Sequence, residues 1–208
     1  MGVSSYRVLA HPVTAEIDVK RSRFRCDLTR VENEDEARAV VERARREHWD
    51  ARHHCSAFVI GPDGRLARSS DDGEPAGTAG APMLEVLRGA GLSDVVAVVT
   101  RWFGGVLLGA GGLVRAYGDA VRAAVDAAAV VDRRLLRLWS VEVPHAEAGR
   151  LENELRSRGV TVRGTAYAAA ATLTLAAPPE VDLVPRVAAL TGGAAVPVAV
   201  GEDWVDLA

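Results

Sequence analysis

Five glycines crowd into nine residues: Gly104, Gly105, Gly109, Gly111 and Gly112. An apolar run, Val95, Val96, Ala97, Val98 and Val99, precedes them and suits a buried strand. A long amphipathic stretch, Leu113–Ala129, follows. Its inner face carries Leu113, Tyr117, Ala120, Ala124 and Val125; its outer face carries Arg115, Asp119, Arg122 and Asp126. The order strand, glycine turn, helix forces a tight crossover, because glycine alone takes such backbone shapes freely. The same order makes an anion cradle, since free N–H groups and the dipole of a helix start attract negative charge. Arg101 before the turn and Arg115 after it add charge-assisted donors. The candidate anion or nucleic-acid set is therefore Arg101, Gly104, Gly105, Gly109, Gly111, Gly112 and Arg115. Two familiar phosphate motifs are excluded. Gly104 and Gly109 have P-loop spacing, but Ala110-Gly111 stands where Lys-Ser/Thr belongs. Gly109-x-Gly111-x-x-Val114 lacks the third glycine of a dinucleotide fold. The plainer alternative is a crossover that needs glycine only for shape, with Arg115 as an i,i+4 partner of Asp119.

The second candidate is the loop from Ser70 to Pro82. Its site residues are Asp71, Asp72, Gly73, Glu74, Pro75, Gly77 and Thr78. Long shaped loops commonly carry function. Three clustered carboxylates can hold a hard cation through oxygen ligands. They miss calcium-loop spacing and have no second ligand set, so they read as acceptors that fix the loop through backbone N–H bonds. No residues are assigned to a metal or a cofactor. His53 and Cys55 share one side of a strand, a possible base and nucleophile pair. No third group orients them, and Cys55 reads equally as a small buried hydrophobe.

Around these sites the pattern is legible. Ala15–Val19 and Phe24–Leu28 read as strands joined by Lys20-Arg21-Ser22-Arg23. Asn33 caps a helix with Glu36 three residues on. Ala37, Val40, Val41, Ala44 and His48 form its apolar face, and Glu34–Arg38 and Glu42–Arg46 its surface pairs. Residues 54–60 and 65–69 form a hairpin across Gly61-Pro62-Asp63-Gly64, and Pro82–Gly89 forms a short helix. Beyond about residue 132 the order is strand (135–143), helix (146–157), strand (160–167), strand (169–176), helix (180–190), strand (195–200). That βαββαβ series predicts a ferredoxin-like domain, with Pro178-Pro179 opening the second helix. The predicted class is α+β in two domains, 1–132 and 133–208. Trp139 and Trp204 read as core; Tyr167 lies on a strand.

Composition narrows the function. Hydrophobic residues make up 49% of the 208, which excludes a disordered chain. No run of eighteen apolar residues lacks a charge, so no membrane span is expected. A net charge of −3 excludes a protein that coats polyanions over its whole surface, but leaves room for a local basic patch. Lys20 is the only lysine, so a mechanism needing lysine must use it. Two cysteines, Cys26 and Cys55, and a start without signal or myristoylation pattern predict a reduced, cytoplasmic protein.

Four strings taken in order carry a resemblance: Lys20-Arg21-Ser22-Arg23-Phe24, His53-His54-Cys55, Ser70 to Pro82, and Val98 to Gly118. Together they resemble the IMPACT family in its bacterial, YigZ-type branch, strongly over about residues 15–130. The resemblance implies a first domain like the βαβ sandwich of ribosomal proteins and elongation factors. It implies a ferredoxin-like second domain similar to the last domain of elongation factor G. Eukaryotic relatives regulate translation by competing for the coactivator of a stress kinase, and bacterial relatives look linked to RNA or the ribosome. The expected partner is thus RNA, the ribosome or a translation-regulatory protein, with no membrane. Ala76, Ala81, Trp102 and Leu107 depart from the commoner serine, lysine, tyrosine and lysine, which thins the charge near the glycine turn. The leading reading is a non-enzymatic, translation-associated binding protein. The alternative is an enzyme on a phosphorylated or nucleotide substrate, with Asp71, Asp72 or Glu74 as metal ligand or base. A third reading is a protein adaptor using the same loops.

Overall fold

A computed structural model describes residues 3–207; Met1, Gly2 and Ala208, and so the very start considered above, lie outside the described residues. The chain forms two compact units, one reaching to Arg133 and one over Arg134–Asp206. In chain order the elements are β1 Ser5–Leu9, β2 Val13–Val19, β3 Ser22–Arg30, α1 Glu34–Glu47, β4 His53–Ile60, β5 Leu66–Ser70, α2 Gly80–Gly89, β6 Val95–Trp102 and α3 Ala110–Asp126. There follow β7 Val130–Val143, α4 His145–Ser157, β8 Thr161–Tyr167, β9 Ala171–Ala177, α5 Val184–Thr191 and β10 Val198–Leu207.

The first unit is built on an antiparallel sheet in the order β2-β3-β6-β4-β5. β6 is central, and both its faces are covered. Val95, Ala97 and Val99 join the core under α2 and α3 with Phe24, Leu28, Met83 and Tyr117. Val96 and Val98 meet Ala37, Val40 and Ala44 of α1 on the other face. A strand buried on both sides has no reason to alternate, so β6 reads as a continuous apolar run. α1 starts where Asn33 Oδ1 accepts from the Glu36 N–H at 2.9 Å, while Glu36 Oε2 accepts from the Glu32 N–H at 2.8 Å. On its surface Glu42 pairs with Arg45 at 2.7 Å rather than Arg46. β1, absent from the sequence reading, is held by the Ser93 N–H donating to the Arg7 carbonyl and by Tyr6 Oη on Asp94. Five residues without a flanking turn signal give too little pattern to read.

In the second unit the strands run β10-β7-β9-β8, the order of a split βαβ fold. Trp139, Val141, Leu151, Leu155, Leu173 and Leu175 fill its core. Several boundaries differ from expectation: β7 begins at Val130 rather than 135, β9 at Ala171 rather than 169 and β10 at Val198 rather than 195. α5 starts at Val184 rather than Glu180, because Pro185 has no N–H and belongs in a first helical turn, and Asp182 Oδ1 caps the Val184 N–H at 2.9 Å. β10 runs on through Gly201-Glu202-Asp203, polar residues that an edge strand tolerates when paired. Glu202 meets Arg137 at 3.7 Å, and Asp203 pairs with Arg163.

Candidate functional site

The acidic loop between β5 and α2 is latched at three points. Asp71 accepts three backbone N–H bonds, from Gly77 at 2.8 Å, Ala79 at 3.0 Å and Gly80 at 2.8 Å. Asp72 accepts the His54 backbone N–H at 2.6 Å and Arg45 Nη2 at 2.7 Å. Glu74 turns inward, where Arg101 Nη1 donates at 2.6 Å and Tyr117 Oη at 2.7 Å. Each carboxylate thus serves a different protein partner, and the three do not converge on one point in space. Among the described residues no group of three or more His, Cys, Asp or Glu is arranged to hold a metal ion. Thr78 Oγ1 closes the loop onto the Pro75 carbonyl at 2.7 Å, and Gly73 and Gly77 supply positive φ.

His53 and Cys55 both reach this loop from β4. His53 Nδ1 lies 2.9 Å from the Asp72 carbonyl, so it carries the proton there, and Cys55 Sγ donates to the Asp71 carbonyl at 3.0 Å. Burial pushes the Cys55 thiol up to about 12, which keeps it a thiol at neutral pH. Each side chain of the pair is thus directed at a loop carbonyl, and together they brace the loop. Burial alone would raise the Asp71 carboxyl, but the N–H bonds from Gly77, Gly80 and Ala79 together hold it below its ordinary value of 3.8. The folded value is depressed, so its stabilisation is complete above the unfolded value and disappears as pH falls through the folded one. Asp71→Asn is therefore expected to lower stability at pH 7, with a deficit that shrinks on acidification below pH 3.8. Urea midpoints of both proteins across that range check the sign; a deficit that does not change with pH contradicts it.

Around the glycine turn the structure redistributes the sequence-based roles. Arg101 is buried, not presented to solvent; it sits opposite His53 in the sheet and is committed to Glu74. Gly104 is needed for close approach: a Cβ there would lie 2.1 Å from the carbonyl carbon and oxygen of Arg21. Gly105 and Gly109 have φ of 83° and 74°. α3 then opens with no side-chain cap; the Leu113 N–H bonds the Gly109 carbonyl at 3.0 Å. Gly111 and Gly112 lie in its first turn. Arg115 is exposed and does not pair with Asp119, which takes Arg122 at 2.6 Å instead.

What replaces Arg101 at the helix start is Lys20. A cavity of about 200 Å³ is lined by Val19, Lys20, Leu108, Gly112, Arg115 and Asp119, with Ala116 behind. Two cations border it, and its one carboxylate is engaged by Arg122. A larger groove of about 760 Å³ between α2 and α3 mixes Arg115 and Arg122 with Glu85, Asp119 and Asp126, so its rim has no single sign. The structure therefore brings Lys20, Gly112 and Arg115 together, and sets Arg101 with the acidic loop. The sequence held one signal for Lys20, its position as sole lysine in a basic inter-strand turn.

Residues 20–125 match a family model described as the Impact N-terminal domain, and residues 141–182 match a domain of unknown function, DUF1949. IMPACT family member YvyE of Bacillus subtilis is 47% identical over 152 residues, 73% of this chain and 70% of that protein. IMPACT family member YigZ of Escherichia coli is 50% identical over 125 residues, 59% of this chain and 61% of that one. A crystal structure described as that of a hypothetical protein superposes with a TM-score of 0.65 at 37% identity, covering 95% of this chain and 98% of the other.

Proposed function

The chain belongs to the IMPACT family, and from that premise we propose that it is a translation-associated, non-catalytic protein that grips RNA or the ribosome by its phosphates. The contact surface is the end of the first unit where the β2–β3 hairpin meets the start of α3. One observation carries this reading: Lys20 and Arg115 border one cavity at an uncapped helix start, and neither is paired with a carboxylate among the described residues. Unpaired cations beside free N–H groups suit a phosphate. The enzyme alternative needs a free carboxylate as base or metal ligand, and Asp71, Asp72 and Glu74 are each engaged by protein donors.

Labelled RNA followed by anisotropy tests the surface. Lys20→Ala with Arg115→Ala is expected to weaken binding for every RNA sequence. The slope of log affinity against log salt is expected to flatten by about 1 to 2, since each lost phosphate contact removes roughly 0.7 to 0.9. An unchanged affinity and slope would place the RNA contact on another surface. Capture from cells with and without ribonuclease then separates RNA from protein partners: ribosomal material that survives only without ribonuclease supports the reading.

A further inference from the structure

The β2–β3 hairpin turns in two residues, Lys20 and Arg21, between the paired Val19 and Ser22. Both have positive φ, 47° and 68°. Positive φ at both central positions marks a primed turn, which Asn-Gly fills with little strain. Two long, non-glycine side chains there are outliers, and such outliers gather at functional sites. Neither cation has an ion-pair or hydrogen-bond partner among the described residues. The tip is also pinned in place, because Gly104 packs directly on the backbone of Arg21 and Ser22.

The residues against that tip are aromatic and held before any ligand arrives. Arg23 lies over the Trp102 ring at 3.9 Å, His48 meets its edge at 5.3 Å, and its indole N–H donates to Asp50 at 2.9 Å. Phe103 is 44% exposed, while the buried Arg101 guanidinium sits 5.7 Å from its ring. Rigid rings lose little entropy on binding. Exposed rings and guanidinium planes are what unpaired bases stack on, whereas the bases of an A-form duplex are already stacked on each other.

We propose that the hairpin tip and the adjoining rings form a site for single-stranded RNA, an inference that rests on the phosphate-binding reading above. Lys20 and Arg21 hold successive phosphates; bases stack on Phe103 and on the outer plane of Arg23, itself layered on Trp102. The strained turn is kept because it aims two cations at the backbone of the bound strand.

The test uses the full chain, a labelled oligouridylate and a labelled RNA duplex of equal length. Phe103→Ala is expected to weaken oligouridylate binding roughly tenfold, within the range for one base–aromatic stack, and to leave duplex binding and melting temperature unchanged. Lys20→Asn with Arg21→Gly is expected to do two opposite things: raise the melting temperature by about 4 °C through relief of the turn, and weaken oligouridylate binding. Equal affinity for strand and duplex, with Phe103→Ala silent on both, overturns the stacking site while leaving phosphate binding intact. A turn variant that melts lower, or binds oligouridylate as the wild type does, overturns the role given to the tip. Binding of neither RNA removes the phosphate reading and this inference together. The same holds if no RNA binds and a protein partner is lost on Phe103→Ala, for the surface would then be a protein-docking site.

Discussion

Glu74→Ala is expected to destabilise the first unit by about 3–5 kcal/mol, because it strands a charged arginine inside the protein. The side chains of Arg101 and Glu74 are 7% and 4% exposed, and their closest atoms are 2.6 Å apart. Tyr117 loses its carboxylate acceptor in the same change and keeps only the Cys55 sulfur, a weak acceptor, so part of the roughly 1–3 kcal/mol cost of an unsatisfied buried hydroxyl comes with it. The two losses share Glu74 Oε1, so they overlap and do not add. The network has little slack, since Arg101 Nε is already buried without a protein acceptor. Arg101→Met is expected to be similarly damaging from the other side, by stranding Glu74. Glu74→Leu with Arg101→Met together should cost less than either single change, because no buried charge remains. Urea midpoints followed by tryptophan fluorescence measure this, as Trp49 and Trp102 both report on the first unit. Single changes within 1 kcal/mol of the wild type, adding simply in the double variant, would mean that the pair does not anchor the loop.

That ion pair also marks where sequence reading stops. The β2–β3 hairpin, the Asn33 cap, the apolar β6 and the βαββαβ order of the second unit were all legible, because each rests on local spacing and turn chemistry. The Asp71 anchor was legible too, since an aspartate before small residues favours backbone N–H bonds. The role of Arg101 is not legible in the sequence because its partner Glu74 lies 27 residues away, and Tyr117 joins the pair only through Glu74. Strand parity was the available clue. Arg101 lies two residues after Val99, on the core side of β6, so it points under α3 and not toward solvent. Asp119 was likewise paired with Arg115 by spacing, whereas the helix offered it Arg122. Lys20 reaches the helix start only because β2 and β3 return the chain to that end of the sheet, and register is not readable from one strand alone.

Gly104→Ala is expected to be the most damaging of the glycine replacements in the turn, at about 1–3 kcal/mol or more. The new Cβ would meet Arg21 backbone atoms at 2.1 Å and the Ser22 nitrogen at 2.5 Å. Backbone in a paired hairpin cannot swing aside as a side-chain tip does, so the end of β6 and the hairpin must separate. The bond from the Gly104 N–H to Ser22 Oγ, 3.2 Å, would go with it. Gly105→Ala faces open space and is opposed only by its φ of 83°, a penalty of about 1–2 kcal/mol. Gly111→Ala meets nothing within 4 Å at an ordinary helical position, so it should be neutral or stabilise by about 0.5–1 kcal/mol. The order of melting temperatures, Gly111→Ala above Gly105→Ala above Gly104→Ala, is thus a readable signature of the turn. It also divides the two explanations for the glycines. Gly104 answers to packing, so its replacement should harm fold and RNA binding together by moving the tip that carries Lys20 and Arg21. Gly111 sits at the open helix start without a packing reason, so a loss of RNA binding in a Gly111→Ala protein that melts as high as the wild type would identify a phosphate lying against that backbone. If all three replacements lower the melting temperature equally, the turn needs only general flexibility and neither explanation holds.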